Sequence, residues 1–186
     1  MGGSDATIRH ARKEDLQTIL DLIQALADYE KESDAVEATV ESLERTLALA
    51  PSGPVPTKTS SIPDTEQPSP SKPARCLLLT NPEGETVGMA LYFYNYSTWR
   101  SKPGIYLEDL FVQPSQRGRG YGKRLLTELA KEVVAMNGGR LEWSVLKWNE
   151  PSIKFYESIG AQGMNEWMTM RVTGDGLTKL AGLLDA

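Results

Sequence analysis

The run from Tyr106 to Met136, YLEDLFVQPSQRGRGYGKRLLTELAKEVVAM, constrains this chain more than any other stretch. An apolar strand leads into a glycine-rich turn, and the turn opens an amphipathic helix with Leu126, Leu129, Val133 and Met136 on one face. That order aims backbone N–H groups and a helix N-terminus at whatever lies just beyond a buried strand, and both attract anions. The turn itself, Arg117-Gly118-Arg119-Gly120-Tyr121-Gly122, has neither the terminal Lys-Ser/Thr of a nucleotide P-loop nor the register of a dinucleotide fold. Lys123 and Arg124 follow in the first helical turn, where the macrodipole disfavours cations unless an anion binds beside them. Basic residues crowded around glycines in this way favour a polyphosphate or pyrophosphate group.

Length and composition bound what else the chain can be. Its 186 residues suffice for one domain with a sizeable core, so residues 1–186 are expected to form a single domain. A net charge of −5 disfavours nucleic acid as a partner, because that affinity rests on basic residues neutralising phosphates. No early apolar run resembles a signal peptide, and no stretch approaches the ~20 apolar residues of a membrane span. The expectation is a soluble, cytoplasmic protein without a membrane partner. Cys76 is the only cysteine, which excludes an intramolecular disulfide and a cysteine-based zinc site. It opens the run CLLLT and reads as a small buried apolar residue. His10 is the only histidine, far in sequence from the glycine turn, and reads as a surface or strand-end residue. No metal is expected, and any enzyme here must move protons with carboxylates, tyrosine or water.

Taken in order, residues 1–5 read as a disordered leader and Ala6–Arg9 as a short strand. Leu16, Ile19, Leu20, Ile23, Leu26 and Ala27 recur at helical spacing, and that helix ends in the acidic patch DYEKESDAVE. Thr39 is placed to cap a second helix that presents Val40, Leu43 and Leu47. Residues 51–75 hold seven of the eleven prolines and almost nothing large and apolar except Val55 and Ile62. Such a segment cannot offset its chain entropy by burial, so it is expected to be a flexible insertion within one domain. Cys76–Thr80 and Glu85–Tyr96 read as a hairpin about Asn81-Pro82-Glu83-Gly84. Trp99 lies beyond it in a loop-like stretch, outside the strand alternation, and is a candidate for lining a substrate pocket. Leu141, Trp143 and Val145 alternate as a fifth strand. Pro151 suits the first turn of a helix carrying Ile153, Phe155, Tyr156 and Ile159. Met164–Val172 is expected to form a sixth strand, and Leu177, Leu180, Ala181 and Leu184 a final helix. The fold class is α/β (α+β), one domain with a central sheet flanked by helices.

The R-x-x-G-x-G pattern after a strand, with WNEPSIKFYESIGA about thirty residues later, resembles the GNAT superfamily of acetyl-CoA-dependent N-acetyltransferases. YLEDLFV, RGRGYGKRLL and WNEPSIKFY are similar to its spermidine/spermine (diamine) acetyltransferase branch. The resemblance runs from about residue 6 to the C-terminus, broken by the insertion. It implies a mixed, mostly antiparallel sheet, a homodimer, and acetyl-CoA as cofactor. It also implies that the backbone of Leu110, Phe111 and Val112 binds the pantetheine arm as an added strand would. The turn from Arg117 through Gly118, Arg119, Gly120, Tyr121 and Gly122 to Lys123 would hold the pyrophosphate. Asn149, Glu150, Pro151 and Ser152 match positions that contact the cofactor, and Tyr156 matches the tyrosine that protonates the departing thiolate. Tyr29, Glu30, Glu108, Glu142, Trp143 and Ser144 match positions near the amine.

Elementary chemistry supports part of this reading. A primary amine has a pKa of about 10.4 and must lose a proton before it attacks a thioester. With no second histidine to call on, Glu108 is the candidate acceptor, acting through water because an unshifted carboxylate is a weak base. Glu108 and Asp109 are neighbours on a strand and face opposite ways in a regular sheet; only a bulge brings Asp109 into the same site. One departure bears on the substrate. Polyamine-specific relatives carry Asp-Pro before the tryptophan corresponding to Trp99, where this chain has Ser97-Thr98. A polyamine, a thialysine-like amino acid or another small primary amine all fit, as do two other readings: a peptide or protein-lysine acetyltransferase, and a non-catalytic acyl-CoA-binding regulatory domain.

Overall fold

The structure is a computed structural model that describes residues 5–53 and 63–184. The chain divides after Ser144 into two compact units. The first contains strands β1 (Thr7–His10), β2 (Ala74–Thr80), β3 (Thr86–Ser97), β4 (Lys102–Val112) and β5 (Leu141–Trp143), with helices α1 (Leu16–Glu30), α2 (Val40–Thr46) and α3 (Tyr121–Ala135). The strands form one sheet in chain order, antiparallel from β1 to β4, with β5 parallel to β4. The second unit holds α4 (Glu150–Ser158) and α5 (Asp175–Ala181).

Each sheet face has its own cover. Cys76, Leu78, Met89, Leu91 and Phe111 join Leu16, Ile19, Leu22, Leu43 and Leu47 in one core beneath α1 and α2. The alternate residues, including Leu77, Ala90, Tyr92, Ile105 and Leu107, are buried on the face that packs against α3. Near-continuous apolar runs such as CLLLT follow from this double coverage, because a strand buried on both sides cannot alternate with polar residues.

Local chemistry sets the helix ends. The Thr39 hydroxyl accepts from the Ser42 N–H at 3.1 Å, and Ser42 Oγ accepts from the Thr39 N–H at 2.8 Å, a reciprocal cap that starts α2 where expected. α1 stops at Lys31, whose left-handed φ of 66° ends the hydrogen-bond ladder.

Three expectations need correction. Met164–Val172 forms no strand; the second unit offers no strand edge among its described residues, and an extended segment without a partner leaves its backbone groups unpaired. His10 does close β1, but it is only 7% exposed rather than at the surface. The insertion is anchored along its described return limb. Glu66 N–H donates to Leu49 O at 2.9 Å, Lys72 pairs with Glu66 at 2.6 Å, and β2 already begins at Ala74 with Arg75 buried. Val55, Ile62 and most of the leader lie outside the described residues.

Leu129, like Leu125, has no exposed surface on the α3 face that packs against the sheet. Leu129→Ala is expected to cost about 2–5 kcal/mol, read as a lowered urea midpoint with an unchanged slope.

Candidate active site

The site begins with one extra residue in β4. Leu91 pairs with Asp109 while Tyr92 pairs with Leu107, so Glu108 is the surplus residue of a β-bulge. The bulge reverses the parity of the strand. Ile105 and Leu107 lie on the α3 face with their partners Tyr94 and Tyr92, whereas Asp109 and Phe111 lie on the α1 face with Leu91 and Met89. Asp109 thus enters the α1 side half-covered, and Glu108 stands exposed beside it.

The electrostatics of the pair differ. Burial, then the neighbouring charges of Glu108 and Glu30, push the Asp109 carboxyl up to about 6. Glu30, the last residue of α1, is also raised, by burial and by Glu32. Carboxylates from α1 and β4 therefore repel one another at one place, an arrangement that a cation relieves. The Cys76 thiol, buried nearby, is pushed up by desolvation and by the charge of Asp109, and is inert as a nucleophile.

Just beyond this cluster the chain makes its glycine turn. Gly118 and Gly120 both have φ of 79°, and a Cβ built at either meets no heavy atom within 4 Å. The turn is therefore open, and it needs glycine for its backbone rather than for packing. α3 starts at Tyr121 with no side-chain cap, leaving first-turn N–H groups to bind an anion. The basic side chains divide their duties. Arg117 lies 4.5 Å over the Tyr29 ring and donates through Nε to Val112 O at 3.1 Å, while Arg124 donates to Ala6 O at 2.5 Å. Arg119 and Lys123 are exposed. Leu110, Phe111 and Val112 pair with β3 on one side only, since the ladder between β4 and β5 ends at Leu107 and Trp143.

Other residues singled out in the sequence take varied places. Glu142 pairs with Arg140 at 2.7 Å and accepts from Asn95 Nδ2 at 2.6 Å. Ser144 shares a 2.7 Å hydrogen bond with the Tyr106 hydroxyl, and Tyr106 stacks on Phe93 with ring centres 5.2 Å apart. Trp143 pairs with Leu107. Trp99 is 90% exposed in the turn between β3 and β4, seven or more residues along β4 from Asp109. In the second unit Asn149 is buried and caps α4, accepting from the Ser152 N–H at 3.4 Å, with Pro151 in the first turn and Glu150 paired to Lys154. Tyr156 is half-buried on α4 beside Phe155. Sequence reasoning missed Asn95 and Arg140 as partners of Glu142. It also missed Glu132, buried on α3; that carboxylate interrupts the apolar face between Leu129 and Val133, which was the available signal.

Comparison with known proteins agrees with this geometry. Residues 40–161 match the model of the Acetyltransferase (GNAT) family. A thialysine N-epsilon-acetyltransferase of Bos taurus is 34% identical over 94% of this chain and 96% of its own length. An L-ornithine N5-acetyltransferase of Arabidopsis thaliana is 47% identical over 48% of this chain, a match that spans 40% of that protein. Among solved structures, an integron cassette protein of V. cholerae superposes with a TM-score of 0.70 at 26% identity, covering 96% of this chain and 99% of its own. The chain belongs to the GNAT family and is an acetyltransferase of its diamine acetyltransferase-like branch. Among the described residues no helix is long and apolar enough to cross a membrane.

Because Asp109 binds its proton more tightly folded than unfolded, its burial costs stability as pH rises from its ordinary range near 3.8 through about 6. Asp109→Asn is therefore expected to raise the thermal midpoint above pH 6 and to change it little below pH 4, as checked by melting curves across that range.

Proposed function

We propose that this enzyme transfers acetyl from acetyl-CoA to the side-chain amine of a small diamino acid of the thialysine or ornithine type, by direct transfer in a ternary complex. One observation carries the reading: the bulge at Glu108 sets Asp109 beside Glu108 and Glu30, a few residues before a glycine turn that leads into a helix without a side-chain cap. In this reading the amine sits by the carboxylates at the β4 bulge and the pyrophosphate by the turn that follows it. The activities for which the thialysine and ornithine relatives are named favour diamino acids over polyamines, in line with Ser97-Thr98 replacing a carboxylate-bearing pair.

The residues present fit coenzyme A. The turn from Arg117 to Lys123 offers N–H groups and the exposed cations Arg119 and Lys123 to the pyrophosphate, and the one-sided edge of Leu110–Val112 offers backbone groups to an amide-bearing arm. By motif position, Asn149, Glu150, Pro151 and Ser152 would contact the cofactor as well. When bound, acetyl-CoA supplies an acyl carbon activated as a thioester. The protein's part is to hold the ammonium with Glu30 and Asp109, and to take its proton through water at Glu108. A backbone N–H of the Leu110–Val112 edge polarises the acyl oxygen. By motif position, Tyr156 would be the residue that supplies a proton to a leaving thiolate. In the same reading Tyr29, Trp99, Glu142, Trp143 and Ser144 belong to the amine side, and the enzyme is a cytoplasmic homodimer, as the branch it resembles implies.

The deciding experiment is a CoA-release assay with thialysine, ornithine, spermidine and a lysine peptide. Turnover led by thialysine or ornithine is expected; preference for the peptide, or no turnover with any amine, overturns the assignment. In that assay Glu108→Gln should lose about 10²–10³-fold in kcat/KM, most at low pH where the amine is most protonated, and a loss uniform with pH would reduce Glu108 to a positioning group. Tyr156→Phe should slow the acetyl-transfer step about tenfold or more in single turnover while leaving acetyl-CoA binding near wild type.

A further inference from the structure

The sheet face opposite Asp109 carries a buried polar cluster that the transfer reaction does not use. His10 Nε2 lies 2.9 Å from the Tyr92 hydroxyl, and His10 Nδ1 lies 3.2 Å from Asp64 Oδ1. The hydroxyls of Tyr92 and Tyr94 donate to the two oxygens of Glu132 on α3, at 2.7 and 2.5 Å. Arg75 of β2 stacks 5.0 Å over the Tyr94 ring and donates from Nε to Thr65 Oγ1 at 2.6 Å. Asp64 and Thr65 belong to the return limb of the proline-rich insertion, so two adjacent residues of that limb are gripped by neighbouring buried side chains of β1 and β2.

We propose that this cluster is a docking site for residues 63–73 of the chain itself, and that its recognition element is His10 held as an imidazolium. The assignment follows from counting hydrogens. Tyr92 has one hydroxyl hydrogen, and it goes to Glu132, so Tyr92 meets His10 as an acceptor and Nε2 carries a hydrogen. Burial and the Glu132 charge keep both tyrosines protonated, which holds this direction firm. At the other side of the ring the Asp64 carboxylate offers only lone pairs, so Nδ1 carries a hydrogen as well. Both nitrogens are donors, and that is the cationic form.

The charge has its reasons on every side. Asp64 faces the ring from the insertion, and Glu132 faces it from α3 through Tyr92. Arg75 is the opposing cation on β2, but its guanidinium is taken up by Tyr94 and Thr65. On β1 itself Arg9 donates to the His10 carbonyl at 3.1 Å and is ion-paired to Asp15. If His10 loses its Nδ1 hydrogen, a lone pair confronts the Asp64 carboxylate and the grip is lost. An anionic partner such as the Asp64 carboxylate raises a histidine's affinity for its proton in the folded state. Docking is therefore complete below the ordinary imidazole value of ~6.5 and is released as pH rises through the higher docked value.

Because His10 is the only histidine, one set of ring signals reports it. Nitrogen-15 NMR of the full chain at pH 7 should show both ring nitrogens protonated; a neutral ring with hydrogen on Nε2 alone overturns the proposal. Asp64 is 47% exposed, so Asp64→Asn tests the contact without disturbing the core. It should lower the His10 titration midpoint by about 1 pH unit. It should also speed proteolytic cleavage within residues 51–75 about fivefold at pH 7, an acceleration that the wild type reaches only when pH is raised past its own midpoint. A midpoint that does not move, or cleavage that is indifferent to both pH and the substitution, means that His10 does not hold the limb.

Discussion

The bulge at Glu108 is the feature on which the site depends. A regular β4 would put Ile105, Leu107, Asp109 and Phe111 on one face, so that either a carboxylate would enter the core under α3 or a phenylalanine would leave the core under α1. The surplus residue resolves the conflict by switching faces in mid-strand. The α3 face keeps Ile105 and Leu107, the α1 face receives Asp109 and Phe111, and Glu108 is displayed at the switch. Core packing and site construction are thus one geometric event. It happens near where the ladder to β5 ends, so the same stretch of backbone that redirects the carboxylate also offers one-sided hydrogen-bonding capacity to a ligand.

The two faces put buried charge to different ends. On the α1 side Asp109 is raised by burial and by the charges of Glu108 and Glu30, a mutual repulsion that any nearby cation would relieve. On the α3 side Glu132 is fully satisfied by two tyrosine hydroxyls, and a chain of hydrogen bonds carries on from there to His10 and Asp64. A satisfied network of this kind fixes how α3 lies on the sheet, because sliding the helix would strand a buried carboxylate. α3 begins at the glycine turn, so its seating on the sheet also sets where the turn's N–H groups point.

Much of the architecture was legible from residue order. The apolar strand, the glycine turn, the amphipathic helix, the Thr39 cap and the hairpin about Asn81–Gly84 all rest on interactions within a few residues, and all are present. The family was legible for the same reason, since its motifs are local. The sixth strand failed because a strand needs an edge to pair with, which periodicity does not report. His10 ends β1 as one of the two expected roles had it, but its burial was not legible because its partners, Asp64 and Tyr92, are 54 and 82 residues away. The division of the turn's cations was hidden too: Arg117 goes to Tyr29 and Arg124 to Ala6, contacts that exist only once α1 and β1 are folded beside the turn.

Sequence by itself therefore determined the class of fold, the glycine turn that opens α3 and the kind of transfer chemistry, because each depends on short-range order along the backbone. Tertiary structure alone decided whether Asp109 could join Glu108. That rested on register: Leu91 pairs with Asp109 and Tyr92 with Leu107, leaving one residue over, and the count is set by how both faces of the sheet fill at once.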